Sequence, residues 1–131
     1  MKKLKYIIIL LFVILFANAI YYHYSSKRVV KDIRLSINGI VIKKYDTGHA
    51  RFVSIKENNG NIVDFSQDNL YSYIRKGDHF MKQANDNYCY VKRNGETKKF
   101  IFTYISTKTR NSFDWPKEWK NKWMDATKVE E

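Results

Sequence analysis

The amino-acid sequence predicts a mainly β protein. An N-terminal transmembrane helix leads into a small six-strand barrel, OB-like or SH3-like, with a short helix mid-domain and a C-terminal helix. Three observations carry this reading. Tyr6 to Tyr22 is an apolar run in which Asn18 is the one clear polar interruption. Behind it, short strand-like segments recur about every ten residues, divided by turns rich in Asn and Gly. Near the end, Trp115, Trp119 and Trp123 recur at i, i+4 and i+8, a spacing that puts them in one helical stripe. The layout that follows is a signal-anchor segment at 1–24, a tether at 25–32, the barrel at 33–106, and a Trp-rich helix and tail at 107–131.

The apolar run is seventeen residues long. As a helix it would reach about 25 Å, just short of the ~30 Å hydrocarbon core. Tyr21, Tyr22 and Tyr24 fall where amphipathic rings meet the headgroups. The rival reading is a cleavable signal peptide: Lys2, Lys3 and Lys5 ahead of Ile7 to Phe16, with Ala17-Asn18-Ala19 as an A-x-A site. Apolar character continues through Ile20 to Tyr22 with almost no polar stretch before the alanines, which favours an uncleaved anchor. Either way the rest of the chain crosses the membrane. A short basic N-terminus stays inside, so the expected location is the bacterial inner membrane, single-pass, with the domain facing the periplasm or exterior.

The tether "HYSSKRVVKD" precedes a long first strand, "IRLSINGIVIKKY". Ile33, Leu35 and Ile37 alternate, and Ile40 and Ile42 continue one residue out of phase. That slip predicts a β-bulge at Asn38-Gly39. "ARFVSIKE" and "IVDFS" are strands two and three, joined by a hairpin at Asn58 to Asn61. In "SQDNLYSYIRKG" the rhythm changes: Leu70, Tyr73 and Ile74 fit i, i+3, i+4, Ser66 suits an N-cap and Gly77 suits a left-handed position past a helix end. "HFMKQA" and "YCYVKR" are strands four and five, joined at Asn85 to Asn87. Asn94-Gly95 marks a tight hairpin, and "KKFIFTYIS" is a sixth strand expected to be buried on both sides. Pro116 suits a first helical turn, with Asp114 as its cap.

Net charge is +11, from 24 Lys and Arg against 13 Asp and Glu. Such a balance attracts anionic partners, although the lysines are scattered and match a coding preference for Lys, Asn, Ile and Tyr. A protein or an anionic envelope component is the expected partner, besides the membrane itself. Tyr88, Tyr90 and Lys92 could stack bases, but export argues against nucleic acid. Cys89 is the one cysteine, so no intrachain disulfide forms. No Cys directly follows the apolar run, which excludes lipoprotein acylation. His23, His49 and His79 lack metal-ligand spacing. Asp78 and His79 point to opposite faces of a strand and have no nucleophile beside them. No phosphate loop, dinucleotide fingerprint or nucleophile elbow is present. No catalytic residue, cofactor site or metal site is expected. The competing enzyme reading would build a site from Asp78, His79, Lys82 and Arg93.

Gly77, Asp78 and Lys82 form GD-x3-K, and Val91, Arg93 and Gly95 form V-x-R-x-G. With the upstream "GIVIKKY", this resembles the pattern of an uncharacterised family of small, membrane-anchored bacterial β proteins. The resemblance covers about residues 37–102. It implies an architecture and carries no activity. Arg93 stands where Lys or Arg is usual, and His79 stands where a small polar residue is expected. On this basis Gly77, Asp78, Lys82, Arg93 and Gly95 are candidates for structural turns and ion pairs. Trp115, Trp119 and Trp123 are interface candidates, with a core role as the plainer alternative. The function expected is a non-catalytic binding or structural module tethered to the membrane. The alternatives are a secreted basic protein cleaved after Ala19, or an immunity-type membrane protein.

Overall fold

The computed structural model describes residues 1–66 and 68–128, with the backbone alone at Tyr22 and Lys128. The Tyr22 ring, Gln67 and the tail 129–131 lie outside the described residues. The chain forms two compact units: residues 31–104, and a second unit built from 1–30 together with the C-terminal segment from Ile105.

Helix α1 spans Lys2–Arg34 without a Pro or Gly, and its last turn carries Lys31 and Arg34, which complement the helix dipole. Its apolar stretch is wholly unburied, and among the described residues it is the one helix long and apolar enough to cross a membrane. Residues 25–32, expected as a tether, are the continuation of this helix. Ser26, Val30 and Ile33 are buried at i, i+4 and i+7. That stripe is helical, and the strand-like alternation of Ile33 with Leu35 is incidental.

The sheet unit follows as β1 Ile37–Asp46, β2 Arg51–Glu57, β3 Ile62–Ser66, β4 His79–Lys82, β5 Tyr88–Arg93 and β6 Glu96–Ile101. All neighbours are antiparallel, in the order β3-β2-β1-β4-β5-β6. The bulge lies between Val41 and Lys43 rather than at Asn38-Gly39. Gly39 serves a different need: a Cβ there would sit 2.3 Å from the Lys56 carbonyl oxygen, so glycine permits close approach of β1 to β2. The expected mid-domain helix is a single turn, in which the Ile74 amide donates to the Leu70 carbonyl at 2.9 Å. Ser66 is the last residue of β3. β6 stops at Ile101, and its first four residues are exposed, so it is not buried on both sides.

The barrel is not closed. Among the described residues no ladder joins β3 to β6, and the sheet stays open in hydrogen bonds. It is nonetheless strongly curled. In a flat sheet, five strand spacings would separate the edges by about 24 Å. Here Phe65 of β3 and Phe102, just past β6, have ring centroids 5.5 Å apart, and Phe80 packs 5.1 Å from Phe65. The turn after β3 fills the seam: Asn69 Nδ2 donates to the Ile101 carbonyl at 2.8 Å, and Tyr73 packs on Phe100. Side chains complete what the backbone does not. The enclosed core holds Ile37, Val41, Val53, Ile55, Leu70, Ile74 and Val91, with Cys89 among them.

The C-terminal segment starts with β7 Ile105–Ser106 and α2 Thr107–Arg110, and ends with β8 Thr127–Lys128, parallel to β7. The expected single helix is replaced by two 3-10 turns, Lys117–Trp119 and Met124–Ala126, with Trp123 at φ 54 between them. Pro116 precedes the first turn without a side-chain cap. A left-handed residue cannot continue a helix, and stacking of the indoles replaces the helical stripe. Trp119 lies edge-on to Trp115 at 5.6 Å and to Trp123 at 5.2 Å. All three are buried. Arg110 holds this lobe together: Nε donates to Thr127 Oγ1, Nη1 to the Lys122 carbonyl and Nη2 to the Trp123 carbonyl. Burial lowers its pKa.

Candidate functional site

The candidate residues of the sheet unit fall into two clusters on one face. In the first, Gly77 and Asp78 prolong the β1 ladder across its bulge. The Gly77 amide donates to the Val41 carbonyl at 2.8 Å, and the Val41 amide donates to the Asp78 carbonyl at 2.9 Å. Gly77 has φ +94, a conformation that glycine adopts without a steric cost. Asp78 is 4% exposed and every donor it needs is local. Arg93 Nε reaches Oδ1 at 2.7 Å, Arg93 Nη2 reaches Oδ2 at 2.5 Å, and the Arg75 amide reaches Oδ2 at 2.8 Å. The hydrogen bond from Arg93 holds the Asp78 carboxyl below its usual pKa, against the opposing effect of burial. Arg93 also donates to the Tyr73 carbonyl at 2.8 Å and lies 4.7 Å over that ring. The guanidinium thus ties the 73–78 turn to β5.

Lys82 forms the second cluster, two alternations further along β4, with fully buried Phe80 between it and Asp78. It is 2% exposed. Its Nζ donates to the carbonyls of Ile33 at 2.8 Å, Leu35 at 2.7 Å and Gln83 at 3.2 Å. Ile33 lies in the last turn of α1, where helix carbonyls lack internal partners, and Leu35 follows its end. Phe102 lies 5.0 Å from the ammonium. Burial pulls the Lys82 pKa down to about 8, partly offset by Asp86, Cys89 and Asp32. Burial pushes the Cys89 thiol up to about 12.

The remaining candidates lie elsewhere. Gly95, φ 81, and Asn94, φ 49, make the β5–β6 turn. His79 points to the opposite face from Asp78, where Nε2 lies 2.6 Å from Asn38 Oδ1. Asp78, His79, Lys82 and Arg93 are therefore not brought to one point. Among the described residues no three of His, Cys, Asp and Glu converge.

The outer face of the sheet is read from its register, because paired residues share a face. One row runs Ile62, Lys56, Ile40, His79, Lys92, Thr97 across all six strands. Next to it runs Asn38, Met81, Tyr90, Lys99, and then Tyr88 with Ile101. On the other side lie Lys43, Ser54 and Asp64, then Tyr45 with Phe52. Lys99 sits 3.7 Å over the Tyr88 ring and Lys43 sits 4.9 Å over Tyr45. At these described ladder positions, four lysines face one carboxylate, Asp64, which the Ser54 hydroxyl binds.

The unit formed by both terminal segments contains a cleft that the sequence does not announce. Ala19, His23 and Ser26, one stripe of α1, face Lys108, Asn111 and Asp114 across a cavity of about 520 Å³. Asp114 Oδ2 lies 2.8 Å from His23 Nδ1, an ion-pair distance for a protonated ring, but it accepts no hydrogen bond of good geometry. His23 and Asp114 are far apart in the chain and carry no shared motif, so only the packing brings them together. No protein-family model, curated protein or solved structure matches this chain.

Proposed function

We propose that the chain is a single-pass, membrane-tethered protein whose sheet domain works outside the cytoplasm, facing the periplasm or exterior of a bacterial inner membrane, as a non-catalytic binding module for an anionic partner. The observation that carries this reading is the division of labour among the polar residues. Asp78, Arg93 and Lys82 spend their donors and acceptors on the turn, on β5 and on the end of α1. On the outer face of the sheet, exposed lysines are interleaved with tyrosines, Lys43 over Tyr45 and Lys99 over Tyr88. An unburied apolar helix supports the tether, and a basic, aromatic face suits a protein or envelope component of opposite charge. The strand order β3-β2-β1-β4-β5 supports an OB-like rather than an SH3-like origin for the curled sheet. The experiment is fractionation of the full-length chain with a protease-sensitive tag on the β2–β3 turn at Asn59. The protein is expected to stay with membranes after an alkaline wash, with the tag cut in spheroplasts before lysis. Release by the wash would overturn the tether, and cutting only after lysis would overturn the orientation.

A further inference from the structure

With the tryptophans buried, a different residue occupies the exposed position expected of an interface group. Phe113 is 98% exposed, the most open aromatic side chain among the described residues. It borders the same cleft as Ala19, His23 and Lys108. That cleft fixes its level along α1. The apolar run ends at Tyr22, so Ala19 lies about 5 Å inside that end and His23 just beyond it. Phe113 therefore stands at the depth where hydrocarbon gives way to headgroups. Tyr21 and Tyr24 are exposed at the same level, at 69% and 75%, as in an aromatic belt. A wholly solvated Phe on a loop is unfavourable in water, whereas burial of an aromatic side chain at the headgroup boundary is favourable. Lys108 borders the same cleft and supplies a cation where lipid phosphates lie.

We infer that the C-terminal lobe docks on the bilayer of its own anchor, with Phe113 as a wedge in the headgroup zone and Lys108 toward the lipid phosphates. The occupant of this surface is lipid. The continuity of the patch with the end of the apolar run argues for that choice over a protein partner. The inference rests on the reading of α1 as a membrane span, and the test separates the two.

Full-length chains carrying Phe113→Cys or Phe12→Cys are labelled with an environment-sensitive fluorophore. Both positions are well exposed, Phe12 at 71%, so neither change disturbs packing, and buried Cys89 does not compete for the label. Each is placed, one copy per disc, in nanodiscs of phosphatidylcholine and phosphatidylglycerol. Quenching by lipid-borne spin labels is compared with quenching by aqueous iodide. The expected result is blue-shifted emission at both positions: Phe12 quenched by deep lipid labels, Phe113 by shallow ones, and both protected from iodide. Iodide access at 113 with lipid quenching at 12 overturns the docking and leaves the anchor standing. Iodide access at both overturns the anchor and the docking together.

Discussion

At the scale of single residues, two glycines show how differently one residue type is used. Gly39 has ordinary backbone angles but no room, since a Cβ would lie 2.3 Å from the Lys56 carbonyl oxygen. Gly77 has room, with nothing within 4 Å of a Cβ, but sits at φ +94. Gly39→Ala must push β1 from β2 and is expected to cost roughly 1–3 kcal/mol or more, as overpacking does. Gly77→Ala should cost about 1 kcal/mol from backbone strain alone. Thermal melts of both variants, followed by circular dichroism, check the order. Lys82 makes a prediction about pH. Its pKa is about 8 in the fold against an ordinary 10.5. Between those values the unfolded chain holds a proton that the native chain has released, so this residue adds stability as pH rises from 8 toward 10.5. The gain is bounded at about 3 kcal/mol. Cys89 works in the opposite sense above pH 9, because its thiol is held protonated in the fold up to about 12. The clean window is therefore pH 8 to 9, where melting temperature should rise with pH in the native sequence and stay flat in Lys82→Met.

At the scale of elements, the turn 75–78 is a latch between β1 and β5. Its charge is the test. The folded Asp78 carboxyl has a lowered pKa, so its contribution is complete above the unfolded value of 3.8 and is lost as pH falls through the folded value. Asp78→Asn should lower the neutral melting temperature by several degrees and flatten the acid limb of the stability profile; an unchanged acid limb would place that limb's origin elsewhere. Elements also show where sequence reading reaches its limit. The turn at Asn94-Gly95 is legible because a positive φ is a local demand with few residues able to meet it. The extension of α1 through Arg34 is less so, since Val29, Val30, Ile33 and Leu35 are β-branched or aliphatic and fit either rhythm. Three tryptophans four apart satisfy a helical template equally well as edge-stacked indoles on 3-10 turns. The candidate site follows the same rule: polar Asp78 and Arg93 stand out in apolar strands, but their meeting depends on the β4–β5 register, which no local pattern encodes. The His23–Asp114 cleft depends on packing alone.

At the scale of the whole molecule, the sheet unit is an insertion. The unit that buries the tryptophans needs α1 and the segment after Ile105 to meet across the stretch 31–104. If that stretch is unfolded, closing it costs about 4 kcal/mol of chain entropy at this length. If the sheet is formed, most of that cost is already met. Stability should therefore be asymmetric. Trp119→Ala, at the centre of the indole stack, is expected to cost roughly 3–5 kcal/mol and to speed amide exchange in 105–128 while leaving β1, β4 and β5 protected. Phe80→Ala, in the sheet core, should speed exchange in both units. Exchange that rises in the sheet on Trp119→Ala would show a single cooperative unit. The same insertion sets a timetable on the ribosome. α1 emerges first, and the segment that covers its Ala19, His23 and Ser26 stripe emerges last of the three. At roughly 5–20 residues per second the sheet takes on the order of ten seconds to be made. For that interval the stripe lies open to any chaperone or protease waiting at the membrane surface, and a chain that stalls within β6 keeps it open.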